Sequence, residues 1–145
     1  PDFPHDNFRS LALSNFKPVW ERDDVHVVSI QKGIGEEQLQ ELPKGAMTAV
    51  GHLLDTGDVA FVDTAYCLRE LDLLITSDTA VAHLAGALGC KVWVVLSTVV
   101  DWRWGVRGEG CSWYPTMRLF RQRERGQWDP VISDVMQALD RLLEA

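Results

Sequence analysis

The sequence predicts an α/β fold, a Rossmann-like open parallel sheet with helices on both faces. Two observations carry this. Apolar, β-branched runs alternate with helical segments along the chain. The strongest run, KVWVVL at 91–96, is apolar after its first residue, as a strand buried on both faces must be. With 145 residues and 46% hydrophobic content the chain supports one domain with a real core, and two full domains would be cramped.

Taken in order, residues 11–22 have helical spacing through Leu13, Phe16 and Trp20, with Pro18 kinking or shortening the helix. VHVVSI at 25–30 reads as a buried strand, and Gln31-Lys32-Gly33 opens the loop after it. Residues 36–42 form a short helix stopped by Pro43. Residues 47–53 are a weaker strand, and the Gly-containing polar stretch 55–63 is loop. One or two helical turns follow at 64–71, then a short apolar strand, Leu73-Leu74-Ile75.

Residues 80–88 make a helix with Val81, Leu84, Ala85 and Leu88 on its core face, stopped by Gly89. After the 91–96 strand, 99–115 is a Gly-rich loop carrying Trp102, Trp104, Trp113 and Tyr114. Residues 118–121 read as a last short strand. Residues 129–144 form an amphipathic helix through Val131, Val135, Leu139 and Leu142, with Asp129 as cap and Pro130 in the first turn.

The net charge of −7 argues against a general nucleic-acid or anionic-membrane surface, while leaving room for a local anion pocket. Cys67, Cys90 and Cys111 are odd in number and lack metal-ligand spacing, which fits free thiols in a reducing compartment. No signal peptide or run of spanning length is evident, so the expected location is cytoplasmic. The opening PDFPHDNFRS starts without Met in loop-like composition and reads as a cut from a longer chain.

The chemistry concentrates in TSDTAVAHLAGALG at 76–89. In open α/β sheets, ligands bind where a strand's carboxyl end meets a helix N-terminus, and residues 76–80 occupy that joint. Free N–H groups and the helix dipole there favour a phosphate oxygen. Thr79 and His83, four apart, share one helix face, off the expected core stripe. A charged Asp78 would repel phosphate but suits sugar hydroxyls, for which it is a strong acceptor. On local pattern alone, a helix capped by Asp78 or Ser77 with a satisfied histidine explains these residues equally well.

This stretch, together with KVWVVL, DWRWG, SWYP and MRLFRQ, resembles the C-terminal half of glycosyltransferase family 9, the heptosyltransferase-like enzymes. It is most similar to the region found behind tetratricopeptide repeats in bacterial proteins. The family pattern is met by Asp78, Thr79, Ala80, His83, Ala85, Gly86, Ala87, Leu88 and Gly89. HDNFRSLAL, VVSIQKG and DVAFVDTAYCLRELDLLITS extend the likeness over nearly the whole chain. The DWRW loop departs from the heptosyltransferases proper and matches the repeat-linked subgroup.

The resemblance implies one half of a GT-B enzyme, with residues 1–145 as a single donor-binding domain. Asp78 would hold sugar hydroxyls, the backbone of Thr79 and Ala80 the diphosphate, and His83 the pocket wall. Arg9 would neutralise diphosphate charge through its fork geometry, without a metal or other cofactor, in keeping with the lack of a DxD-type motif. Gln31 and Lys32, with Asp63 and Thr64, would lie near the nucleoside, although capping explains the last two as well. Arg103 would be a second anion contact. Trp102 and Trp104 would stack on sugar or line the interdomain cleft, at least one of them packing under the loop.

The catalytic base is expected in an N-terminal Rossmann half outside these residues, so the chain alone should bind donor weakly and transfer nothing. The implied partners are a nucleotide-sugar donor, that N-terminal half, tetratricopeptide repeats in cis and a membrane-associated glycan acceptor. Two other readings stand beside this one. One is a non-catalytic nucleotide or nucleotide-sugar module. The other is a flavodoxin-like interaction domain with Asp58 or Asp63 as a switch.

Overall fold

The computed structural model describes residues 11–145. The chain divides into two compact units, with the first running over Ala12–Thr64 and the second holding Ala65–Ala145. Parallel strands and helices make up both, so the chain is α/β.

In the first unit, β1 (Val28–Ser29) pairs in parallel with β2 (Thr48–Ala49), Val28 opposite Thr48 and Ser29 opposite Ala49. Both strands are shorter than their sequences suggest, and neither contains a buried residue. The segment expected as a strand through 53 turns after Ala49 into a 3₁₀ turn, Gly51–Leu53. Gly51 explains that turn: a β-carbon there would lie 1.8 Å from the backbone oxygen of Gln31, an approach only glycine permits. The N-terminal helix is a 3₁₀ turn, Leu13–Phe16, followed by one α-turn, α1 (Lys17–Trp20). Pro18 falls in that first turn, where its missing N–H is harmless and its fixed φ starts a helix. The 36–42 helix is also 3₁₀, over Glu36–Glu41. Helix α2 (Val62–Glu70), whose first three residues end this unit and whose remainder belongs to the second, begins two residues earlier than its composition suggests.

The second unit holds the better-formed core. Strands β3 (Leu74–Thr76), β4 (Val92–Leu96) and β5 (Met117–Arg121) lie in that order, all parallel. Leu74 faces Val92 on one side of β4, and Val92 faces Met117 on the other. Every residue of central β4 is buried, as its continuous apolar run requires. Helix α3 (Ala80–Ala87) packs on β3 and β4, and α4 (Asp129–Leu143) packs on β5. Val131, Ile132, Val135, Ala138 and Leu139 form the buried stripe of α4, each large side chain contributing about 1.5–3 kcal/mol. Trp128 occupies the cap position and Asp129 the first helical residue, one step later than expected, where its charge still favours the helix dipole.

Two parallel connections in this unit differ in kind. β3 reaches β4 through α3, the usual crossover. β4 reaches β5 through the irregular segment 97–116, whose one regular element is a 3₁₀ turn, Trp102–Trp104. No described helix is long and apolar enough to cross a membrane.

Candidate functional site

Helix α3 shows how the sequence builds the site. Its buried residues are Ala82, Ala85 and Gly86; of the expected stripe Ala85 is buried, while Val81, Leu84 and Leu88 are half-buried. Small side chains let the helix backbone come close to its neighbours, and the larger ones fill its flanks. The helix ends with the Gly89 N–H on the Gly86 carbonyl and the Cys90 N–H on that of Ala85, with Gly89 at φ 73°. This double closure is the Schellman arrangement that Gly89 signals in the sequence.

At the other end, Thr79 is the N-cap in extended conformation, but its side chain makes no bond to the first turn. Its hydroxyl lies 3.2 Å from that of Thr76, the last residue of β3. The expected cap by Asp78 or Ser77 is therefore replaced by Thr79. Asp78 is half-buried beside this joint, and Thr79 and Ala80 are exposed.

His83, in the second turn, meets the aromatic loop. Its ring stacks on Trp104 at 4.7 Å between centroids and 20° between planes. Tyr114 stands edge-on at 5.8 Å, with its hydroxyl 3.2 Å from His83 Nδ1. Tyr114 can approach because α3 carries Gly86 beneath it, where a β-carbon would meet the ring at 2.5 Å. Trp104 is 2% exposed and packs rather than offering a face to a ligand; its indole Nε1 has no partner among the described residues.

Trp102 and Trp113 lie outside that packed layer, 70% and 59% exposed. Their rings meet edge to face, 6.0 Å apart at 82°. Arg103 has its guanidinium 5.2 Å from the Trp102 centroid and 2.9 Å from Asp101 Oδ1. Asp101 also accepts from the Arg103 N–H and so caps the 3₁₀ turn. Together His83, Trp102, Arg103, Trp113 and Tyr114 line a cleft of about 470 Å³, within the range of small-ligand sites.

The loop is held from β5. Arg121 donates to the carbonyls of Gly108 at 2.8 Å, Gly105 at 3.2 Å and Trp104. Burial lowers the Arg121 pKa from its usual value, while nearby Cys111 opposes that shift. Arg118 pairs with Glu109 at 2.9 Å, and the Leu119 N–H donates to the Glu109 carbonyl at 2.7 Å. Tyr114, Trp113 and this clamp are the parts that sequence reasoning left unassigned. The ring-rich composition of 99–115 is the one signal that pointed to them.

The remaining sequence candidates lie in the first unit or outside the described residues. Gln31 donates through its side chain to the Ile34 carbonyl at 2.6 Å. Lys32 Nζ donates to the carbonyls of Leu54 at 2.5 Å and Asp55 at 2.9 Å. Asp63 and Thr64 serve the start of α2. The Asp55 N–H donates to Asp63 Oδ2, and the Asp63 N–H to Asp55 Oδ1, both at 2.9 Å. Thr64 Oγ1 donates to Asp55 Oδ2 at 2.5 Å. That hydroxyl bond, with backbone N–H groups of Thr64, Asp63 and Phe61, lowers the Asp55 pKa despite an opposing desolvation. Arg9 lies outside the described residues.

No family model and no solved structure matches the chain. It is similar to Protein FlbA of Caulobacter vibrioides, 32% identical over 130 residues, which is 86% of this chain and 21% of that protein. The chain thus spans about a fifth of the length of the curated relative it matches.

Proposed function

We propose that the chain is the donor-binding part of an inverting, metal-independent glycosyltransferase that uses a nucleotide-diphosphate sugar. One observation carries the reading. β3 passes directly into α3 through Thr76-Ser77-Asp78-Thr79, and the same helix sends His83 into the cleft of about 470 Å³ that it shares with Trp102, Arg103, Trp113 and Tyr114. A strand end, an eight-residue helix without a side-chain cap and an adjoining cleft suit an extended ligand with an anionic middle. The family motif quoted above falls on these residues and supports the assignment.

In this reading the first-turn N–H groups at Thr79 and Ala80 receive diphosphate oxygens, and Asp78 accepts from sugar hydroxyls. As the diphosphate departs, charge grows at the helix terminus, where fixed dipoles are most effective. Arg9 and Arg103 add cationic charge, Arg103 with its own charge partly matched by Asp101. The base that activates the acceptor is assigned to another part of a longer protein, so this chain binds donor without transferring sugar. The length of FlbA, nearly five times the matched stretch, is compatible with such an arrangement. A switch role for Asp63 finds no support, because its carboxylate is engaged at the start of α2.

Thermal-shift titration with nucleoside diphosphates and nucleotide sugars tests the reading. A ligand at a hundred times its Kd should stabilise the fold by about 2.7 kcal/mol. Asp78→Ala should weaken nucleotide sugars more than bare diphosphates, and Arg9→Ala should weaken both. No stabilisation by any nucleotide, or sugar transfer by the chain alone, would refute it.

A further inference from the structure

We propose that the cleft between α3 and the 97–116 loop is a binding subsite for a neutral pyranose ring, with Trp102 and Trp113 as its walls. The inference rests on the reading above, which it deepens by naming the group the cleft receives. Three observations converge on it.

The two indoles are exposed although they are the most apolar groups of the cleft, and exposure of that much apolar ring is costly unless something covers it. Their 82° arrangement makes a corner rather than a parallel slot. A flat base sandwiched between rings needs parallel faces. A pyranose has one apolar C–H face and a rim of hydroxyls, so it can lie on one indole and abut the other.

The polar groups are placed for hydroxyls. His83 has Nδ1 engaged with Tyr114, while its Nε2 has no partner among the described residues. The Tyr114 hydroxyl both donates and accepts. Both residues line the cleft, and each is fixed, His83 by its stack on Trp104 and Tyr114 by its seat on Gly86. Side chains fixed in this way lose little freedom when a ligand arrives.

Charge separates a neutral ring from an anion. Arg103 is the cation of the cleft, and Asp101 lies 2.9 Å from it. An incoming phosphate or carboxylate would compete with that carboxylate, on a chain of net charge −7. A neutral ring leaves the pair intact.

The neutral ring has two sources, the sugar of the donor and a sugar of the acceptor, and one experiment separates them. Indole N–H resonances of the chain are followed by NMR during titration with methyl hexopyranosides, with adenosine and uridine, and with methyl glucuronoside as the anionic comparator. The expected result is a saturable shift of Trp102 and Trp113 with neutral glycosides, at least tenfold weaker with the uronoside. Trp102→Ala and Trp113→Ala should each abolish it; both positions are exposed, so circular dichroism should match the parent chain.

Saturating nucleoside diphosphate and nucleotide sugar are then added in turn. Displacement of the glycoside by the nucleotide sugar alone identifies the donor's ring, and displacement by neither identifies the acceptor's. Shifts caused by nucleosides in place of glycosides overturn the proposal in favour of base stacking, and no shift by any probe also overturns it. Nucleotide binding that depends on Asp78 with no glycoside response sinks this inference alone. Glycoside binding without any nucleotide response sinks the donor reading instead.

Discussion

Gly86 and Tyr114 are in such close contact that a β-carbon on the glycine would lie 2.5 Å from Cγ of the tyrosine ring. Cγ is the root of that side chain, so a rotation about χ2 does not relieve the clash. The His83 bond at 3.2 Å depends on the ring staying where it is. Gly86→Ala gains up to ~1 kcal/mol of helix propensity but forces Tyr114 outward, an overpacking cost of about 1–3 kcal/mol. Net destabilisation is expected by thermal or urea unfolding. The double variant Gly86→Ala, Tyr114→Ala should be less destabilised than the sum of the two single changes, because the clash is gone.

Gly51 presents the same relationship without a side chain to move. Its neighbour is the Gln31 backbone oxygen, 1.8 Å from where a β-carbon would be. Gly51→Ala should cost about 3 kcal/mol or more. The loss should be local, since Val19 is the one buried hydrophobic side chain of the first unit among the described residues. Hydrogen exchange should show faster opening of residues 12–64 than of 65–145.

Arg121→Ala removes donors from three loop carbonyls at once. We expect about 2 kcal/mol of lost stability and faster proteolytic cleavage at 105–110. Arg121→Lys should recover little, because a point-like ammonium cannot span three carbonyls as a planar fork does. Equal protease resistance in all three proteins would show that the loop holds itself.

Asp55 makes acid stability testable. Its pKa is lowered in the folded state, first by the Thr64 hydroxyl, so its contribution is present above the unfolded carboxylate value near 4 and is lost as pH falls through the folded value. Urea unfolding from pH 7 to pH 2 should therefore show a loss in the acid range that Asp55→Asn flattens. Thr64→Val should move the Asp55 carboxyl titration, read by NMR, upward toward the ordinary range.

Legibility in the sequence followed the length of the repeating signal. β4 and α4 stood out because five or more residues obey one period, and both form where expected. β1 and β2 shrink to two residues each, since a β-branched run alone does not supply a buried face. The stripe of α3 was legible at Ala85 and missed at Ala82 and Gly86. Val81 and Leu84 are more hydrophobic than Ala82 and Gly86, but close backbone approach selects the small pair. The joint at 76–80 and His83 were legible because they are local. The placement of His83 on Trp104 and Tyr114 was not, since a Gly-rich loop has no period from which ring positions can be read.

The helix-free connection from β4 to β5 has a kinetic consequence. β5 carries Arg121, and Arg121 fixes the loop that brings Tyr114 to His83. A crossover helix would fold early from local contacts, whereas this segment gains its order when its two ends meet. Docking of the edge strand and closure of the cleft are thus expected to be a single event during folding. A chain synthesised only as far as residue 116 would lack the cleft even with every cleft-lining side chain already made.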